Sequence, residues 1–193
     1  DTKVFEFIDN EWKNTHTLGI DDGYSFSSAR FNLDGTKIVA ASDGYDTKVF
    51  EFIDNEWKNT HTLIDDKGGL TSANFSFDGN KIVTTLILKE FRVWEFRNNK
   101  WENDHKLTVY KPEDIYHIPY RKISQAINSA EFSRDGTKIV TASKDETRVF
   151  EFIDNEWINT HILKSHTDKV NSANFSPDGS KIVTASSDNT AKI

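Results

Sequence analysis

Residues 128–163, NSAEFSRDGTKIVTASKDETRVFEFIDNEWINTHIL, decide the fold. Residues 129–133 alternate small, apolar and polar side chains as a strand does. Arg134-Asp135-Gly136-Thr137 comes next, with a glycine free to take positive φ. Residues 138–143 are rich in β-branched side chains, which favour a second strand. Residues 148–153 form a third, Asp154-Asn155 a tight hairpin turn, and residues 156–163 a fourth. The expectation is four short antiparallel strands with no helix.

The same text recurs along the chain. DTKVFEFIDNEWKNTHTL at 1–18 returns at 46–63 and, slightly changed, at 146–163, while 91–107 carry a diverged copy. Its tryptophan stands at Trp12, Trp57, Trp101 and Trp157, in steps of 45, 44 and 56 residues. The other half of the unit begins at Ser27, Thr71, Asn128 and Asn171. A four-stranded meander repeated at this period predicts an all-β chain, a β-propeller built from about four antiparallel blades.

The repeats resemble those of the WD-repeat β-propeller family. The residues that carry the resemblance are His166 ahead of VNSANFSPDGSKIVTASSDNTAKI (170–193) and the Asp-Gly turns at Asp34, Asp78, Asp135 and Asp178. In that family the third strand commonly ends in a Trp whose indole joins a Ser or Thr, a His and an Asp. Here Phe5, Phe50 and Phe150 hold that place and only Trp94 keeps an indole. Phenylalanine donates nothing, so aromatic packing between blades must replace the polar set in those units. The resemblance gives His166 and Asp188 a bracing role, with Trp94, Phe50 and Phe150 as structural residues.

The chain starts in a third strand and stops as another begins. The expected blades are 19–63, 64–107, 108–163, and 164–193 completed by 1–18 if the ring closes. Three arrangements satisfy this: a fragment of a longer array, two copies sharing an eight-bladed ring, or closure on four blades. The absence of methionine and the start at Asp1 suggest a piece of something longer. Nearly interchangeable blades also favour self-association.

Composition narrows function. A net charge of −7 disfavours binding along a phosphate backbone, so no nucleic-acid partner is expected. No run approaches the roughly 18 apolar residues of a membrane span. With no cysteine there is no disulfide, thiolate metal site or cysteine nucleophile. His16, His61, His105 and His161 recur one per blade and so cannot converge on one ion. Ser165-His166-Thr167-Asp168 holds the residue types of a triad but as neighbours along one loop. Asp43-Gly44-Tyr45-Asp46 is better read as a polar turn than as a calcium loop. The recurrent Trp suits core packing, because alternation puts Trp12, His16 and Leu18 on one face; sugar stacking is the other reading.

Two breaks in the repeat mark candidate contact surfaces. The insertion at 108–124 carries Tyr110, Tyr116, His117, Tyr120 and Arg121 on a segment stiffened by Pro112 and Pro119, a composition suited to an interface. Leu86-Ile87-Leu88 places three aliphatics where other blades turn with polar residues, so the insertion or a partner should cover them. The expectation is a non-catalytic protein-interaction scaffold, with a carbohydrate-binding propeller as the alternative. Other proteins, or a second copy of this chain, are the expected partners; no cofactor, metal or membrane insertion is expected. The family resemblance implies a cytoplasmic location.

Overall fold

The computed structural model describes residues 1–19, 23–87, 90–108, 126–144 and 146–193. Among them every regular element is a β-strand. A two-stranded hairpin, β1 (Thr2–Ile8) and β2 (Glu11–Leu18), comes first. Three complete blades come after it. They comprise β3 (Phe26–Phe31), β4 (Lys37–Ser42), β5 (Asp46–Ile53) and β6 (Glu56–Ile64); then β7 (Leu70–Phe75), β8 (Lys81–Leu86), β9 (Glu90–Arg97) and β10 (Lys100–Thr108); then β11 (Ile127–Phe132), β12 (Lys138–Ser143), β13 (Thr147–Ile153) and β14 (Glu156–Leu163). Each is an antiparallel meander in chain order. A three-stranded sheet of β15 (Val170–Phe175), β16 (Ile182–Ser186) and β17 (Ala191–Lys192) ends the chain.

The turns are set by their residues. Between the third and fourth strands, Asp9-Asn10, Asp54-Asn55, Asn98-Asn99 and Asp154-Asn155 all take positive φ, between 50° and 69°. Two consecutive residues of that kind twist a two-residue hairpin in the sense of its strands. Between the first and second strands, the Ser133 hydroxyl accepts from Lys138 N–H at 2.9 Å and donates to Asp135 at 2.6 Å. Ser76 and Ser176 repeat this arrangement, and Asn32 takes over the acceptor role toward Lys37. The Ser176 hydroxyl, with the N–H and hydroxyl of Ser180, pulls the Asp178 carboxyl down to about 2.

Alternation alone misjudges the fourth strand. The register runs Phe7↔Trp12 and Phe5↔Asn14 but then Val4↔His16 and Thr2↔Leu18, so Thr15 is an extra residue, a bulge. The same slip occurs between Val49 and Phe50, between Val149 and Phe150, and between Asn103 and His105. One inserted residue reverses the parity of every later residue in the strand. Trp12 therefore faces one side of the hairpin and His16 with Leu18 the other, which corrects the expectation that all three share a face.

That bulge gives each unit two different apolar faces, and they stack. Val4 and Leu18 of the first hairpin pack with Ile38, Ala40 and Phe50 of the next blade, with Trp57 alongside. Val49 and Leu63 meet Ile82 and Trp94, and Val83, Phe91 and Val93 meet Ile139, Phe150 and Trp157. The histidines lie on the same seams. His16, His61 and His105 put their rings edge-on to Phe52, Phe96 and Phe152 of the following blade, with centroids 5.6 to 5.8 Å apart. Nearer the axis, Ser27 donates to Leu70 O, Thr71 to Ile127 O and Asn128 to Val170 O, at 2.9, 2.6 and 2.7 Å. The blades thus succeed one another in an arc. Among the described residues β1–β2 pairs with no strand of the β15–β17 sheet.

Candidate functional site

The loops joining the second strand to the third and the fourth to the next blade share one face. Their backbones are tied together: Asp43 N–H donates to Ser25 O, Asp65 N–H to Tyr45 O, Gly69 N–H to Gly44 O and Ile87 N–H to Gly69 O, all within 3.0 Å. Three large side chains lie over glycines in these loops. Tyr24 covers Gly44, Tyr45 covers Gly68 and Ile87 covers Gly69, each with an atom 2.7 to 2.8 Å from where a Cβ would stand. Gly68 and Gly69 also need positive φ, at 65° and 67°. The three side chains remain 46%, 54% and 47% exposed, so an apolar ridge crosses this face. Tyr24 and Tyr45 meet edge to face, centroids 6.5 Å apart.

Beside the ridge lies a charged cluster. The Arg92 guanidinium binds both Asp65 and Asp66, and Lys67 reaches Glu90 at 2.6 Å, with Lys106 on the other Glu90 oxygen at 3.6 Å. Arg92 and Asp65 are buried, so this pair is costly to break from one side. The Glu90 carboxylate raises Lys67 above the usual lysine range. The cluster pins the 65–69 loop beneath Tyr45.

Of the expected contact residues, Tyr110, Tyr116, His117, Tyr120, Arg121 and Leu88 lie outside the described residues. Leu86 is the last residue of β8 and fully buried, so it belongs to the core and not to an uncovered turn. Ile87 alone of that group is described as exposed. Tyr45, taken from sequence as part of a polar turn, and Tyr24 were the misses. Their one signal was glycine placed outside the repeat, at Gly44, Gly68 and Gly69, where another side chain comes close.

The structure brings His166 and Asp188 together. His166 Nδ1 lies 2.8 Å from Asp188 Oδ2, and Nε2 lies 2.7 Å from Thr184 Oγ1. The Thr190 hydroxyl, at 2.6 Å, heads the groups that hold the Asp188 carboxyl far below the usual range, with the His166 ring and the Thr167 and Thr190 N–H groups adding to it. The order acid, imidazole, hydroxyl matches a nucleophilic relay. Thr184, however, is only 6% exposed in mid-strand, which suits a brace between loop and sheet and not attack on a substrate. In the second blade Trp94 Nε1 donates to Thr84 Oγ1 at 3.0 Å, whereas Phe50 and Phe150 are buried in the seams.

On the strands nearest the axis, Arg30, Asn74, Glu131 and Asn174 take equivalent places. Arg30 Nε donates to Asn74 at 3.3 Å, and Asn74 donates to Ala130 O at 2.8 Å. Burial pushes the Glu131 carboxyl up to about 7, against the smaller pull of Arg30.

With this geometry in place, residues 157–193 match the family model "WD domain, G-beta repeat". The internal repeat carries the same unit back through the rest of the chain. The fold is a β-propeller, and residues 157–193 carry a WD repeat. A solved structure of the same kind, the Cps50 (Swd1) β-propeller domain of Myceliophteria thermophila, superposes with a TM-score of 0.67 at 11% identity, over 86% of this chain and 51% of that one. The chain therefore spans about half the length of that propeller, and at this identity the likeness concerns the fold. No curated protein matches the sequence. WD-repeat propellers typically serve as protein-interaction scaffolds and are generally not catalysts.

Proposed function

We propose that this WD-repeat chain is a non-catalytic scaffold that binds other proteins across its loop face, anchored by Tyr24, Tyr45 and Ile87. The ridge these three form carries the reading. Aromatic side chains held rigidly on glycine lose little freedom when a partner covers them, and they dominate the energetics of protein interfaces. The Asp65-Asp66-Arg92-Lys67-Glu90 cluster would form a polar rim beside the apolar centre. The insertion with Tyr110, Tyr116, His117, Tyr120 and Arg121, between β10 and β11 in sequence, lies outside the described residues, and its part in binding is proposed from composition alone.

The test compares the wild-type chain with a Tyr24→Ala/Tyr45→Ala variant in affinity capture, and then measures each recovered protein against both chains by calorimetry. Two exposed anchors should be worth at least about tenfold in Kd with little change in melting temperature. Equal affinity of both chains for every recovered protein would remove the loop face from consideration. Glycan-array binding lost on changing Trp57 and Trp157 to Ala, in variants that still fold, would favour the carbohydrate-binding alternative.

A further inference from the structure

In each meander the turn from first to second strand lies at the end opposite the loop ridge, and one position in it changes from blade to blade. Ahead of the constant Asp-Gly stand Leu33, Phe77, Arg134 and Pro177. Between these four successive turns there are three equivalent places. In the middle one the chain supplies its own occupant: the Arg134 guanidinium lies over the Phe77 ring, 4.6 Å from its centroid. A flat, weakly hydrated cation on an aromatic face is a favourable contact. The place between the first two turns is instead an open groove of about 340 Å³, lined by Asn32, Leu33, Asp34, Phe77, Asp78 and Gly79. Both of its walls belong to complete blades, β3–β6 and β7–β10. Leu33 and Phe77 are 66% and 40% exposed. The third place is also open, at about 270 Å³, but Arg134 itself lines it beside Asp135, Pro177 and Asp178.

We propose that the groove between Leu33 and Phe77 binds an arginine side chain presented by an exposed segment of another protein. Charge complementarity selects this occupant, because the lining holds two carboxylates and no cation. The Thr36 hydroxyl, and after it the Thr36 N–H, holds the Asp34 carboxyl below the usual carboxylate range. Burial pushes Asp78 up, but the Ser76 hydroxyl and the Asn80 N–H together outweigh it and leave that carboxyl low as well. Both are therefore ionised at neutral pH. The turns engage Oδ1 of each carboxylate, and a carboxylate has about four acceptor sites, so each can take a further N–H donor. The lysines that follow the two turns are engaged elsewhere, Lys37 with Glu51 at 3.1 Å and Lys81 with Glu95 at 3.8 Å. Arginine suits the groove better than lysine. Its planar head can rest against Phe77 and fork its donors toward the two walls, while its methylene stem covers Leu33. The net charge of −7 also draws a cationic segment from solution. This face is separate from the Tyr24, Tyr45 and Ile87 ridge, so a partner bound here leaves that ridge free.

The experiment is an amide NMR titration of the isotope-labelled 193-residue chain with a capped peptide that carries one arginine among glycines. The same peptide with citrulline in place of arginine is the neutral comparison. Saturable shifts should concentrate at Asp34, Gly35, Asp78 and Gly79 with the arginine peptide and be missing with the citrulline one. Asp34→Asn/Asp78→Asn keeps an acceptor for each turn and should weaken binding at least about tenfold. Leu33→Ser, at an exposed position, removes only the contact with the stem and should weaken it about threefold. Glu56→Gln/Glu156→Gln removes the same two charges from exposed positions on β6 and β14 and should leave binding unchanged. The amide spectrum of each variant shows in the same measurement that it is folded. Shifts scattered over the surface, no saturable shift, equal binding of the citrulline peptide, or equal weakening by the glutamate pair would each overturn the proposal.

Discussion

Thr84, Thr141 and Ala40 occupy one position in three blades, and their partners explain how a WD repeat survives without its indole. Thr84 receives the Trp94 N–H; Ala40 clusters with Phe50 and needs nothing; Thr141 belongs to the blade in which Phe150 replaces the indole, and its buried hydroxyl has no partner. A buried, unbonded hydroxyl costs on the order of 1 to 3 kcal/mol. Thr141→Val keeps the shape and removes that cost, so the melting temperature should rise by an amount equivalent to about 1 kcal/mol, and a lowered one would show that the hydroxyl is satisfied. Glu131 makes a second residue-scale test. Its carboxyl rises from an ordinary 4.5 to about 7, so the carboxylate takes up its proton more tightly in the folded chain. The stability it permits is complete below about pH 4.5 and is lost as pH rises through 7. Glu131→Gln should flatten urea midpoints across that window and gain on the order of 2 kcal/mol above it, after allowance for solvent screening. An unchanged slope would refute the shift. Neither position stood out in the sequence, because the cost arises from pairings between strands ten or more residues apart.

Among elements, the hairpin turns were legible and the bulges were not. Asp-Asn, or Asn-Asn at 98–99, between two alternating runs states its backbone, and all four turns take positive φ at both residues. Asn55, at φ 63°, therefore discriminates substitutions sharply. Asn55→Ala should cost about 1 kcal/mol and Asn55→Gly little or nothing, read from chemical denaturation of each variant; equal effects would mean that backbone strain is not what the turn resists. Thr15, Thr60 and Thr160, by contrast, look like ordinary strand residues. Only pairing to the third strand reveals the extra residue, and period-two reading carries the wrong face beyond it. The cost of that misreading was specific, since it merged the two faces whose difference lets one blade receive the next.

For the whole molecule, repetition exposed the fold at once, while the candidate sites lie where repetition fails. Tyr24, Tyr45 and Ile87 belong to loops of unequal sequence, and their common ridge exists only because backbone bonds tie those loops edge to edge. Leu86, which looked like part of an uncovered patch, is taken into the core by the length of β8. Phe5 and Phe50 are the same letter in the same phrase, and only the surroundings make one a surface and the other a core residue.

The axial bonds from Ser27, Thr71 and Asn128 all end on main-chain carbonyls. Three different donors meet the one chemical group that every residue possesses. These axial bonds do not read the side chains of the strand that accepts them. Those bonds therefore tolerate a change of side chain on the accepting strand, and selectivity between neighbouring blades falls to the apolar faces that stack outside them.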